Sequence, residues 1–412
     1  MKRQLVALAL SLILLFSAAD TVVAAEGKKT TGKKKILVVL VDFQDRKGKY
    51  QPEDFAEMLF STQQRSEKYT GSFRGYYREV SAGKLDIDGD VIGWYTAPQK
   101  HDYYSTDEDC KNLRSYINLG VYVHEYGHAL GLPDLYDLDG SSNGLGDWDV
   151  MSSGSWLGKN KLGDSPPLMS APLRVKMNWT NVIELNQSAR NIPIVDITKS
   201  NTAYKLVGEK KHEYWMVELV QKGNTSSFNE LVPASGLKIT HVNETELTNN
   251  NEFGSMFISL EQADGFNDLQ YGINFGDWHD TYKISCLGLW KPEFTTTSNP
   301  NSSYYDGTPS GINLYNISKL DNAKITFDLE FNKTYQSNSE SSLGKLNDTF
   351  KINTTVFEVR KTAKIKLEQA FTGLEWIIAH LPSLEIKAAG LLGSFSNNFS
   401  NCWSSFRNLL GV

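Results

Sequence analysis

The stretch Val123-His124-Glu125-Tyr126-Gly127-His128-Ala129-Leu130-Gly131-Leu132-Pro133-Asp134 constrains this chain more than any other. Tyr116–Leu130 carries the spacing of a helix, and Gly131-Leu132-Pro133 ends it. Glycine supplies the left-handed residue past the last turn, and proline prevents continuation. On that helix His124 and His128 stand at i and i+4 and project from one face. Two imidazoles so placed can bind one Zn²⁺, with Glu125 beside a metal-held water. The turn at Gly131 lets a third ligand, Asp134, reach the same metal. Three protein ligands plus water is the open geometry of a catalytic zinc, whereas a structural zinc usually closes with four protein ligands. A zinc there would lower the pKa of its water toward ~7 and polarise a scissile carbonyl. Glu125 would take the water proton and pass it to the leaving amine.

Around this helix the pattern alternates between strands and helices. Ile36–Phe43 is a nearly continuous apolar run and predicts a buried strand. Pro52–Gln63 has helical spacing, with Phe55, Met58 and Leu59 on one side. Ser72 caps a second helix through Tyr76, Tyr77 and Val80, which stops near Gly83. Leu85–Thr96 predicts a strand. Residues 134–165 are a Gly/Asp/Ser-rich loop. From about Val182 to Phe331 short alternating runs recur at Tyr214–Val220, Gly236–Val242, Ser255–Leu260, Ile312–Ile317 and Ala323–Phe331. They are separated by turn residues, which reads as an all-β, sandwich-like domain.

Composition narrows the function. The chain has 412 residues and a net charge of −6. No basic face points to nucleic acid. Three cysteines, Cys110, Cys286 and Cys402, exclude a disulfide scaffold or a four-Cys zinc site. Lys2 and Arg3, the apolar run Leu5–Phe16 and the small residues ending Val23-Ala24-Ala25 predict a secretory signal peptide, cleaved after about Ala25. The run is too short for a comfortable membrane span, so no stable span is expected and the mature protein is placed outside the cell. Asn-X-Ser/Thr triplets recur from Asn178 onward and would be glycosylated only in a eukaryotic secretory pathway.

Downstream of the helix lies Gly146-Asp147-Trp148-Asp149-Val150-Met151-Ser152-Ser153-Gly154-Ser155-Trp156. Following a compact HExxHxxGxxD motif, it looks like the Met-turn of metzincins, with Met151 as a hydrophobic floor under the zinc. HEYGHALGLPDLYD, GLGDWDVMSSGSW and FRGYYREVSAGKLDIDGDVIGWYTAP together resemble the secreted immune inhibitor A-like zinc metallopeptidases. Weaker matches are GLKITHVNE, LEQADGFNDL, NFGDWHD and SGINLYNIS. The resemblance implies a secreted zinc endopeptidase acting on polypeptides. It implies an α+β fold, with a zincin/metzincin-like catalytic domain followed by an all-β sandwich-like domain. It carries over His124, His128 and Asp134 as zinc ligands, Glu125 as the base and Met151 as the Met-turn. Its expected segments are a signal peptide at 1–25, the catalytic domain at 26–180, the β domain at 181–331, and a linker and tail at 332–412. Members of this family usually carry a longer segment before the HExxH helix than Thr96–Gly120, including the edge strand on which a zincin lays its substrate. The alternative function is therefore a catalytically impaired relative acting as a zinc-containing binding module.

Weaker candidates accompany the motif. Asp137, Asp139, Asp147 and Asp149 offer oxygen ligands for Ca²⁺, or are simply turn residues. Asp147 or Asp149 would be the third zinc ligand in a gluzincin-like fold, a reading that the compact Gly131/Asp134 pattern opposes. Glu261, Asp264 and Asp268 pose the same choice between calcium and turns. His241, in an apolar strand pattern, reads as a packed core histidine, and His279 as a loop residue. Cys110 precedes the helix and reads as a thiol unrelated to the metal.

Overall fold

The computed structural model describes residues 30–62, 70–104, 118–159, 163–223, 226, 228–249, 255–284 and 292–332. The expected signal peptide, Cys110, Cys286, Cys402 and the residues beyond Asn332 lie outside them. The fold is mixed α/β, with several sheets and few helices, compatible with the expected α+β class.

Strand β1 (Gly32–Asp42) pairs in parallel with β2 (Leu85–Thr96). Parallel strands need a crossover, and two helices occupy it. These are α1 (Pro52–Phe60), with proline in its first turn, and α2 (Phe73–Val80). Ser72 caps α2 as expected, its hydroxyl accepting from Gly75 N at 2.9 Å. The first helix stops at Phe60, short of the Gln63 its spacing suggests. A short helix α3 (His101–Tyr104) follows β2. The metal-motif helix, α4 (Leu119–Leu130), starts later than Tyr116 because the Asn118 side chain accepts from Val121 N and caps it. Tyr77 of α2 ties the two helices together, its hydroxyl donating to Val123 O at 2.6 Å.

After the long loop comes α5 (Ala171–Lys176). Then follow β3 (Asn181–Leu185), β4 (Ala189–Val195), α6 (Ile197–Ser200), β5 (Thr202–Leu206), β6 (Glu213–Val220), β7 (Gly236–Asn243), β8 (Ile258–Leu260), β9 (Ile312–Tyr315) and β10 (Lys324–Phe331). Each of the five expected β runs contains a strand, shorter than expected within Ser255–Leu260 and Ile312–Ile317. The structure adds β3, β4 and β5, which lack a clean alternating signal. Strand β3 is mostly exposed, and β4 contains Pro193. Both lie at sheet edges, where such sequences are tolerated.

The strands form a five-stranded sheet, in the order β3-β5-β6-β7-β8, and a three-stranded sheet, β4-β10-β9. Strand β6 is buried along its whole length, and its period of two splits it between two cores. Trp215, Val217 and Leu219 join Leu237 and Ile239 of β7 against Ile192, Ile194, Ile325 and Phe327 of the smaller sheet. Tyr214, Met216 and Val220 face the other way, into one apolar cluster with Val38, Met58, Tyr77, Val123 and Met151. The sheet is thus packed on both faces, and the core around the motif helix extends past residue 180 into β6 and β7.

Candidate metal centre

Helix α4 ends at Gly131, whose φ of 95° is the left-handed conformation that glycine adopts without a Cβ penalty. The reversal brings Asp134 back over the last turn. Asp134 Oδ1 lies 3.1 Å from His124 Nε2 and 3.1 Å from His128 Nε2. The two Nε2 atoms are themselves 3.1 Å apart. Three ligand atoms held at 2.0–2.1 Å around a tetrahedral ion would be about 3.3 Å from one another. The triangle therefore has the size that a zinc ion needs.

The outer nitrogens are already committed. His124 Nδ1 meets Val150 O at 2.9 Å, and His128 Nδ1 meets Leu132 O at 2.9 Å. A carbonyl accepts only from N–H, so both contacts place the proton on Nδ1 and leave Nε2 with its lone pair toward the triangle. Asp134 Oδ1 is shielded from solvent and has no well-aligned hydrogen bond. Burial works against ionising Asp134, but the two imidazoles hold its carboxyl well below the usual carboxylate range. The Asp134 carboxylate in turn raises the His128 pKa, against burial. An orphaned carboxylate oxygen facing two imidazole lone pairs fits a cation between them.

Glu125 projects to solvent beside the site. Beneath it, Met151 is fully buried. A Cβ on Gly127 would come 2.4 Å from Met151 Sδ, so the methionine packs directly on the backbone between the two histidines. The tight turn around Met151 is built by Asp149, whose Oδ1 accepts from Met151 N at 2.8 Å. A further bond joins the two loops, from Leu135 N to Met151 O at 2.7 Å. Tyr136, which the motif reading passed over, stacks on His124 with ring centroids 6.1 Å apart. Burial and the neighbouring Asp134 push its phenol well up.

The candidate calcium ligands are not brought together. Asp149 is fully buried, with both oxygens used: Oδ1 by Met151 N, and Oδ2 by Ser170 N at 2.7 Å. Asp147 is buried in a 3-10 turn, Gly146–Trp148. Asp137 and Asp139 close local turns, with Asp137 Oδ2 accepting from Ser142 N at 3.0 Å and Asp139 Oδ1 from Ser141 N at 2.7 Å. Asp268 accepts from Asn274 Nδ2 and Glu261 from Trp215 Nε1. Asp264 does approach Asp277 and His279. His241 is a buried, paired histidine, as its strand pattern suggested. It sits 3.0 Å from Glu213 and 3.2 Å from Glu261, stacked between Trp215 and Tyr305.

Comparison with known proteins agrees with these motifs. Residues 20–118 and 115–179 match the family described as Immune inhibitor A peptidase M6, catalytic domain. The match comes in two pieces that meet just before α4. The chain is 36% identical over 99 residues, 20% of this chain, to "Immune inhibitor A" of Bacillus thuringiensis subsp. alesti. It is 52% identical over 95 residues, 23% of this chain, to "Pre-pro-metalloprotease PrtV" of Vibrio cholerae serotype O1 (strain M66-2). The chain spans only 14% and 9% of the length of these relatives. Residues 20–179 are thus similar to the catalytic domain of immune inhibitor A-like (M6) metallopeptidases.

Proposed function

We propose that the chain is a secreted zinc-dependent endopeptidase in which His124, His128 and Asp134 hold the metal and Glu125 is the general base. The observation that carries this reading is the ligand triangle, with its 3.1 Å edges and both Nδ1 atoms committed to carbonyls. Zinc bound there would supply Lewis acidity for activating water and polarising a peptide carbonyl. The protein's own part is to hold three donors on one side and leave the other open to solvent and substrate. Glu125, next to His124 and exposed, is placed to take a proton from water and deliver it to the departing amine. Met151 supplies an apolar floor that keeps α4 and the loop in register. The substrates would be extracellular polypeptides. Secretion rests on the leader sequence, and no described helix is long and apolar enough to cross a membrane.

The test is cleavage of casein by the purified chain with and without a chelator, alongside Glu125→Gln. Chelator-sensitive cleavage is expected, and Glu125→Gln is expected to retain zinc while losing at least 10²-fold in rate. Undiminished proteolysis by Glu125→Gln would refute the assignment. A chain that holds stoichiometric zinc and cleaves nothing would instead be the zinc-containing binding module.

A further inference from the structure

Beneath the metal loop lies a group of buried charges that the peptidase reading does not use. Lys238 of β7 stands opposite Glu218 of β6 in the sheet register, on the face turned toward the motif helix. Lys238 is 3% exposed and Glu218 1%. Lys238 Nζ is 2.9 Å from Glu218 Oε1. It also donates to Ser170 Oγ at 3.1 Å and to Trp148 O at 3.4 Å. Arg174 of α5 donates to Glu218 Oε2 at 2.7 Å, and Ala171 N to Glu218 Oε1 at 2.9 Å. The fourth buried charge is Asp149. Burial pushes its carboxyl pKa up, and Lys238 opposes that rise. Two cations and two carboxylates cancel, which is the condition for keeping such groups out of water.

This cluster reaches the metal centre through three consecutive residues. Trp148 is held at its carbonyl by Lys238 and at its indole Nε1 by Asp280 Oδ2, at 2.8 Å. Asp149 is held at both oxygens, by Met151 N and Ser170 N. Val150 lies between these fixed points, and its carbonyl receives the Nδ1 proton of His124. Moving Trp148 or Asp149 therefore re-aims the carbonyl that decides which His124 nitrogen faces the metal.

We propose that Lys238 is a positioning residue for the metal centre, acting through the Trp148 carbonyl and the Asp149 turn, so that the β-rich half is an integral part of that centre. The proposal rests on the metal-site reading above. A purely structural Lys238 would change stability alone. A positioning Lys238 also changes the metal.

The experiment measures Zn²⁺ affinity by chelator competition and the visible absorption of the Co²⁺-loaded chain. The variant is Lys238→Met with Glu218→Gln, which removes one charge of each sign and roughly preserves length. Loss of an outer-sphere support typically costs 10–100-fold in metal affinity. A folded double variant is expected to show a loss of about that size, with shifted cobalt bands. Asp328→Asn, which loosens the Arg190 contact in the smaller sheet, is expected to lower stability and leave the metal unchanged. Parent-like zinc affinity and cobalt bands in the double variant would overturn the proposal and leave the metal centre standing. If the double variant does not fold, Lys238→Gln carries the same test, and unchanged affinity and bands overturn the proposal there too. A parent chain that binds no zinc, or binds it equally well as His124→Ala, overturns the metal centre and this inference with it.

Discussion

Replacing Gly127 with alanine sets two effects of opposite sign against each other. In a helix interior, alanine is favoured over glycine by about 1 kcal/mol. Here the new Cβ would stand 2.4 Å from Met151 Sδ and 3.1 Å from its Cε. Met151 is fully buried and cannot swing away into solvent. Overpacking of this kind costs about 1–3 kcal/mol. The net expectation for Gly127→Ala is a loss of about 0–2 kcal/mol, by subtracting the helix gain from the overpacking cost. Met151→Ala alone is expected to cost about 2–5 kcal/mol through the cavity it leaves. With Met151 removed, the alanine at 127 has room, and the same substitution should stabilise by the full helix gain. The coupling between the two sites is therefore about 1–3 kcal/mol, within the range of contacting pairs. Urea unfolding of the four chains in chelator measures it without involving the metal. Additivity within about 0.5 kcal/mol, as for distant sites, would show that the methionine does not pack against the helix at that point.

Two further outcomes follow from buried charge. Arg174→Met should cost about 3–5 kcal/mol by leaving the buried Glu218 with only one of its two cationic partners. Arg190→Met, whose ion pair with Asp328 is solvent-exposed on the arginine side, should cost no more than about 1 kcal/mol; equal losses on urea unfolding would sink the burial argument. Asp280 is pushed up to about 7 by burial and then by the Asp277 carboxylate. Its folded value lies above its ordinary one, so the folded state binds the proton more tightly than the unfolded chain. The stabilisation is full below pH ~4 and is lost toward pH ~7, at about 1.4 kcal/mol per unit. Parent minus Asp280→Asn stability should fall across that window and level off above it, and parallel stability curves for the two chains would refute the shift.

How much of this could be read in the sequence depended on whether the signal was local. The i, i+4 histidines, the glycine stop and Asp134 form one continuous run, and the structure brings their ligand atoms to within 3.1 Å of one another. Strands β6 and β7 were legible because their apolar runs are long. Strands β3 and β4 were not: one is exposed, and the other carries a proline that only an edge position accommodates. The calcium candidates show the limit of counting ligand types. Asp149 sits among four aspartates in a polar loop, yet its oxygens bind the backbone N–H groups of Met151 and Ser170 rather than facing a cation.

The same distinction separates the metal ligands from what supports them. His124 is recognisable because Glu125 and His128 surround it. Val150 contributes only a carbonyl, which no side-chain pattern can reveal. Lys238 is 114 positions from His124 by numbering and sits in a strand that otherwise reads as ordinary alternation. A lysine buried in such a strand is itself a signal, because burying a lone ammonium is costly and a partner must exist. Glu218, two residues from the buried Met216 in the neighbouring strand, meets the same condition. In the sequence each is an ordinary polar residue between apolar ones, and only the structure shows that both are buried. The sheet register, which sets Glu218 opposite Lys238, makes the two a pair, and the loop packed on that face gives the pair something to hold.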